Sequence, residues 1–223
     1  MTGELYNLIG SEMSKLDGWT TPERGIEMAK LILETKPTVV VELGVFGGRS
    51  FIAQAFALQS LGTGVIYGID PWKTEAALEG ENDANRQWWS ESVDLEKIHR
   101  EAMAVIWRNK LDQHAVIIRA SSQHVVQLFN EIDVINIDAN HSEIASCRDV
   151  ELWLPKVKQG GLIWFDDADW VSTQKAVNML HKSCDVVTDN EHWKLFRKHV
   201  LDPNEPTFQE VEDMQLDKPH SQE

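Results

Sequence analysis

Short β-branched runs alternate along this chain with stretches of helical period. Val39-Val40-Val41-Glu42-Leu43 is the first such run, and residues 65–69, 115–119, 134–137 and 162–165 supply four more. Runs this short and this apolar suit strands covered on both faces. Thr21-Pro22-Glu23 opens a helix with Thr as N-cap and Pro at the first position. Ile26, Ala29 and Leu33 share one face of it, and Lys36-Pro37 ends it. A shorter helix is expected at 4–16. Residues 50–61 are nearly all apolar, so that helix should be buried. Further helices are expected at 122–130, 143–154 and 171–182, and Lys158-Gln159-Gly160-Gly161 reads as a turn. Two last strands, 185–188 and 193–197, flank the hairpin signal Asp189-Asn190. Strands that alternate with helices five times and then close with a hairpin imply an α/β domain. Its sheet is mostly parallel with helices on both faces, and the last strand runs antiparallel.

Residues 73–110 break this alternation. The stretch 73–85 is acidic and loop-like, and 86–110 is helical in composition and carries Trp88, Trp89 and Trp107. Insertions between strands commonly build binding sites, so this segment is the natural place for substrate selection. The organisation that follows is a pair of N-terminal helices at 1–36 forming a substrate-side cap, a domain at 37–199 with its helical insertion, and a tail at 200–223. The tail carries seven acidic residues against one Lys, with three prolines, and reads as disordered.

A chain of 223 residues is long enough to bury a substantial core and suits a single domain. Its net charge of −15 repels phosphate backbones and argues against nucleic acid as a partner. No apolar run approaches the roughly 20 residues of a membrane span. The first ten residues hold Glu4 and no basic cluster, which argues against a signal peptide. Cys147 and Cys184 form no C-x-x-C, so neither a zinc site nor a disulfide framework is implied, and a reducing cytoplasm fits. Trp19, read as exposed, hints at a homodimer.

The candidate chemistry sits where each strand ends, because ligands of such sheets bind outside the carboxyl ends of the strands. After the first strand comes Gly44-Val45-Phe46-Gly47-Gly48-Arg49-Ser50, a glycine turn that opens a helix. The spacing is not the G-x-G-x-x-G of a dinucleotide site. Glu42 would repel a pyrophosphate and would suit a cationic ligand. Glu-x-Gly after a first strand resembles motif I of the class I S-adenosylmethionine-dependent methyltransferases. Over about residues 37–198 the alternation resembles their seven-stranded Rossmann-like sheet. The resemblance implies S-adenosylmethionine lying across Gly44–Ser50, with Glu42, Gly44, Phe46, Gly47 and Ser50 as cofactor contacts. Asp70, at the end of the second strand, matches the acid that grips the ribose hydroxyls, and Trp72 is set to pack on adenine. Ala120-Ser121-Ser122-Gln123 resembles the segment bordering adenine, which adds Ser121 and Ser122.

Asp138 and the pair Asp166-Asp167 are three carboxylates at two adjacent strand ends, and in a cleft they would repel one another. Oxygen ligands in that number suit Mg²⁺ or another divalent cation. The spacing resembles the metal-binding pattern of catechol O-methyltransferase-like and macrolide-sugar O-methyltransferases, with Asp167 where the first group usually has Asn. The segment Ile137-Asp138-Ala139-Asn140-His141-Ser142-Glu143 is similar to the I-D-G-x-H-S-x-E of the sugar-modifying relatives, with Ala139 replacing Gly. That resemblance makes His141 the base, with Asp138 beside it among the catalytic residues and also touching the cofactor. Neutral imidazole suits proton abstraction near pH 7. Trp88, Trp89 and Trp170 are candidates for the wall of an acceptor pocket.

The expected activity is therefore metal-assisted methyl transfer to a hydroxyl of a small molecule: a sugar, a catechol or another natural product. Three alternatives stay open on the sequence. One is a metal-independent methyltransferase, the second a non-catalytic S-adenosylmethionine-binding module, and the third an NAD-type oxidoreductase, which the glycine spacing disfavours.

Overall fold

A computed structural model describes residues 2–80 and 83–200. The acidic segment expected to be disordered lies, apart from Val200, outside the described residues. Seven strands form one sheet: β1 (Val39–Leu43), β2 (Val65–Ile69), β3 (Ala115–Ile118), β4 (Ile132–Ile137), β5 (Val157–Phe165), β6 (Cys184–Asp189) and β7 (Lys194–Lys198). Their order across the sheet is β3-β2-β1-β4-β5-β7-β6. The first five are parallel, and β7 runs antiparallel between β5 and β6. The order reverses between β1 and β4, which makes their carboxyl ends the switch point where such sheets bind ligands.

Among the described residues eight α-helices accompany the sheet: α1 (Thr2–Met13), α2 (Pro22–Thr35), α3 (Arg49–Leu61), α4 (Thr74–Ala77), α5 (Asp83–Glu91), α6 (Leu95–Arg108), α7 (Glu143–Trp153) and α8 (Gln174–His181). Strand side chains alternate between faces, so the sheet has two cores. Val40, Val134 and Leu162 pack with α1, α2, α3 and α6. Val41, Leu43, Ile135 and Ile163 pack with α7 and α8. Helix α3 lies against the centre of the sheet and is buried from Ser50 to Leu58, as its composition requires. Trp153, fully buried, anchors the second core.

The backbone carries the strand ends into line. Just past β2, β1, β4 and β5, four amides each donate to the last turn of the neighbouring strand. Asp70 N–H reaches the Ile118 carbonyl at 3.3 Å and Gly44 N–H that of Ile69 at 3.0 Å. Asp138 N–H reaches Leu43 at 2.9 Å, and Asp166 N–H reaches Ile137 at 3.1 Å. The first residue beyond each strand therefore falls on a single row across the sheet.

Several local expectations change. Residues 122–128 form two 3₁₀ turns rather than a helix, since Ser122 to Leu128 is too short and too rich in β-branched and capping residues to propagate one. The expected turn at 158–161 lies inside β5, where Gly160 (φ +72°) lets the strand bend without ending it. The single helix expected at 86–110 is two, because Asp94 caps the Lys97 amide and starts α6 afresh. The stretch read as loop-like contains the one-turn helix α4.

Gly44 has φ +82°, and a Cβ there would overlap the carbonyl oxygen of Asp138 and stand 2.6 Å from the Cα of Ala139. Gly44→Ala is therefore expected to lower unfolding free energy by about 2–4 kcal/mol, combining a disfavoured backbone with a backbone clash. Denaturant unfolding measures it, and a loss below about 0.5 kcal/mol would show that the β1–β4 contact is soft.

Candidate active site

A cavity of about 870 Å³ opens at the carboxyl edge of the sheet. Its floor is the turn after β1. Gly44 lets that turn press onto the end of β4, and Gly47 lets it press onto the N-terminal segment, where a Cβ would overlap the Asp17 carbonyl oxygen. Gly48, in the left-handed region at φ +87°, caps α3 without a side chain, so backbone N–H groups face the cavity at the start of that helix.

Asp70 shapes this floor. Its Oδ2 accepts from the Val45 and Phe46 amides at 3.0 and 2.9 Å, and its Oδ1 accepts from the Trp72 amide at 2.7 Å. Burial pushes the Asp70 carboxyl up against the pull of these three donors. Phe46 and Trp72 both sit at positive φ, +46° and +44°, and Trp72 Nε1 donates to the Phe46 carbonyl at 2.9 Å. Trp72 is nearly buried, with its ring against His99 at 4.6 Å between centroids. Gly44, Phe46, Gly47, Ser50, Asp70, Trp72, Ser121, Ser122 and Asp138 all line the cavity.

Glu42 does not. The sequence reading set it among the groups leaving the strand end, but it lies inside β1, and strand parity turns it sideways onto the face that carries α3. There it is fully buried and accepts from Ser50 Oγ at 2.8 Å and Gln54 Nε2 at 2.7 Å. Its carboxyl is pushed up to about 7, chiefly by burial, against the pull of these hydrogen bonds and of the Arg24 charge. In this structure Glu42 ties β1 to the first turns of α3.

Ser122 Oγ donates to Asp149 Oδ1 at 2.6 Å, joining the turn after β3 to α7. Burial pushes the Asp149 carboxyl up to about 6. The insertion closes the cavity from above. Asn140 Nδ2 reaches the carbonyls of Ala76 and Ala77 at 3.3 Å and of Glu79 at 2.9 Å, while its Oδ1 accepts from the Ser142 amide. Arg148 grips Glu79 through both oxygens at 2.8 Å. Four aromatic rings form one wall. Trp19 stacks on Phe46 at 5.0 Å, Trp89 meets Phe46 edge-on at 5.7 Å, and Trp88 lies 4.9 Å from Trp89.

The acids and the histidine meet at the ends of β4 and β5. His141 Nε2 lies 3.6 Å from Asp138 Oδ1 and 3.4 Å from Asp167 Oδ2, within ion-pair range of both. Burial alone would lower His141, but its contact with Asp138 and the charges of Asp138, Asp167 and Asp166 outweigh it and raise the imidazole. Burial, then the neighbouring Asp166, pushes the Asp138 carboxyl well up. Asp167 is held at φ +46°, with its carbonyl accepting from Thr173 Oγ1 at 2.6 Å. A non-glycine residue in that region is strained, and such strain collects at functional sites. The His141 ring also faces Trp170 at 5.3 Å.

Asp166 turns elsewhere. Arg24, at the start of α2, brings Nη1 to 2.6 Å from its Oδ1. The guanidinium lies 6.0 Å from the Trp164 ring centre and 5.9 Å from that of Trp193, and those two rings stack at 4.4 Å. Among the described residues no three His, Cys, Asp or Glu side chains stand together in an arrangement that would hold a metal ion. The donor chemistry of Asp138, Asp166 and Asp167 suits a hard cation, but their arrangement in this structure does not. Arg24 escaped the sequence reading because it lies 142 residues from Asp166. Its only local signal was the Thr-Pro helix start that fixes its position.

A family model described as a methyltransferase domain matches residues 41–168. No curated protein matches the chain by sequence. Among solved structures, the O-methyltransferase NovP is similar with a TM-score of 0.68 at 12% identity, over 89% of this chain and 98% of that one. The SAH-bound Podospora anserina methyltransferase PaMTH1 gives 0.61 at 13%, over 89% and 88%. An O-methyltransferase from Bacillus cereus in complex with SAH gives 0.59 at 15%, over 89% and 90%.

The Glu42 environment predicts a pH signature. Its folded value, about 7, lies above the unfolded 4.5, so the folded state holds the extra proton between them. Stability from this group is fully present below pH 4.5 and lost as pH rises through about 7. Glu42→Gln should flatten that decline when denaturation midpoints are compared at pH 5 and pH 8. Equal slopes in both proteins would show that Glu42 ionises freely.

Proposed function

The chain belongs to the methyltransferase-domain family, whose model spans residues 41–168, and we propose that it transfers a methyl group from S-adenosylmethionine to a hydroxyl of a small molecule. The observation that carries this reading is the placement of His141 between Asp138 and Asp167 in the cavity floored by the glycine turn. A volume of about 870 Å³ leaves room for the cofactor and a modest acceptor together.

The residues fit the cofactor. Gly44 and Gly47 let the turn pack tightly onto β4 and the N-terminal segment, Phe46 and Trp72 supply apolar walls, and Ser50, Ser121 and Ser122 offer hydroxyls. Asp70 contributes by fixing the turn, since its oxygens already serve three backbone amides. S-adenosylmethionine, when bound, supplies a methyl group made electrophilic by its sulfonium.

His141 accepts the proton of the acceptor hydroxyl. Asp138 and Asp167 both face Nε2 of the ring and stabilise the imidazolium that forms. The cavity walls keep the acceptor oxygen in line with the methyl group, and this positioning supplies much of the rate. The aromatic wall accommodates a sugar face or an aromatic ring.

The metal assistance implied by the three acids has donor chemistry in its favour. In the arrangement described, Asp166 is engaged by Arg24, so no step is routed through a metal.

Calorimetric titration with S-adenosylmethionine should give one site with a dissociation constant of about 1–100 μM, or roughly −8 to −5 kcal/mol. Absence of heat and of thermal stabilisation would overturn the proposal. His141→Ala should lower turnover by about 10²–10⁴-fold while cofactor affinity stays within a few fold. Because the imidazole is raised above 6.5, it is charged at low pH and must lose its proton to act. The rate should therefore rise with pH through a midpoint above 6.5, and that limb should vanish in the variant. A wild-type-like rate would remove His141 from the role of base.

A further inference from the structure

The three strand-end carboxylates already have a cation, and it is part of the chain. Resting on the reading above, we propose that Arg24 is the resident counter-charge of the active-site acids, and that it positions Asp166 in the place where a divalent metal would otherwise be held.

Arg24 is fixed at its backbone and along its side chain. Thr21 Oγ1 accepts from the Arg24 amide at 3.3 Å and fixes the first turn of α2. Pro22 stiffens that turn at its first position. The side chain runs beside the stacked pair Trp164–Trp193 at about 6 Å from both ring centres, a range in which aromatic faces attract a cation. Nη1 ends on Asp166 at 2.6 Å, and both side chains are mostly buried, 15% and 11% exposed. The charge reaches beyond that pair, since Arg24 favours the ionised forms of Asp138, Asp167 and Glu42.

A divalent ion needs several oxygens turned toward one point. Asp166 is turned toward Arg24 instead, and Asp138 and Asp167 are turned toward His141. Moving Asp166 onto a metal would leave a mostly buried guanidinium without its carboxylate, and buried charges stripped of a partner are strongly disfavoured. Arg24 and a metal therefore compete for one carboxylate, and the position of Arg24 favours Arg24. The cluster gains a positive charge that partly offsets the burial of its acids, and its supply does not depend on metal concentration.

The test is Mn²⁺ binding to the full-length protein, read by electron paramagnetic resonance without cofactor or acceptor. Asp166→Asn should bind Mn²⁺ within about threefold of wild type, because Asp166 is already spent on Arg24. Arg24→Gln should bind Mn²⁺ about tenfold or more tightly than wild type, since a buried carboxylate is released, and Arg24→Gln/Asp166→Asn should cancel the gain. Arg24→Lys keeps the charge and should stay near wild type. The proposal is overturned if wild type binds Mn²⁺ more than about tenfold tighter than Asp166→Asn, because Asp166 would then be a ligand in the native site. It is equally overturned if the gain in Arg24→Gln persists in the double variant. The comparison of wild type with Asp166→Asn stands even if Arg24→Gln does not fold. No methyl transfer is measured, so failure here leaves the proposed function intact. Failure of wild type to bind S-adenosylmethionine would sink that function without altering the metal result.

Discussion

The site depends on the row of backbone hydrogen bonds that closes the sheet at its carboxyl edge. Parallel pairing fixes the offset between strands, and one amide past each strand extends that pairing by a step. Asp70, Gly44, Asp138 and Asp166 therefore stand in line, each beginning the loop that builds part of the cavity. Every other feature is conditional on that row. The glycine turn can press onto β4 because Gly44 and Asp138 are neighbours in it, and His141 finds Asp167 because β4 and β5 end level. A slip of one residue in any pairing would turn a strand's apolar side chains to the wrong core, so the two buried faces defend the geometry of the chemistry.

Burial then sets the electrostatics. Glu42 and Asp149 are buried and Asp138 is partly so, and in all three burial is the first cause that raises the carboxyl. What distinguishes them is the company they keep. Glu42 has two neutral donors and is a brace, Asp149 has one hydroxyl, and Asp138 has another acid and an imidazole. Of the three, only Asp138 stands within ion-pair range of an imidazole in the cavity.

The strands and the strand-end acids were legible because they are local, whereas the switch point follows from a strand order that no local run states. A β-branched run followed by glycines or aspartates states its own structure. His141 was legible for the same reason, three residues after Asp138. Glu42, expected among the cofactor contacts, has the parity of Val40 rather than of Val41 and Leu43 and is buried against α3. The turn after it drew attention from its place within the strand. The 3₁₀ turns at 122–128 and the β5 bend at Gly160 reflect packing that overrides weak local preference. Arg24 was not legible at all. Its partner is set by how α2 crosses the sheet, and nothing in a helix start encodes which distant carboxylate its third residue will meet.

Asn140 has a consequence for motion. One amide group ties the roof of the cavity, through three carbonyls at residues 76–79, to the loop that carries Asp138 and His141. The roof is thus no independent flap. Any displacement of the reactive loop is passed to the lid as a single lever, and lifting the lid pulls on the reactive loop in return. Opening of the cavity and movement of the loop that carries His141 are thus coupled through the same few hydrogen bonds.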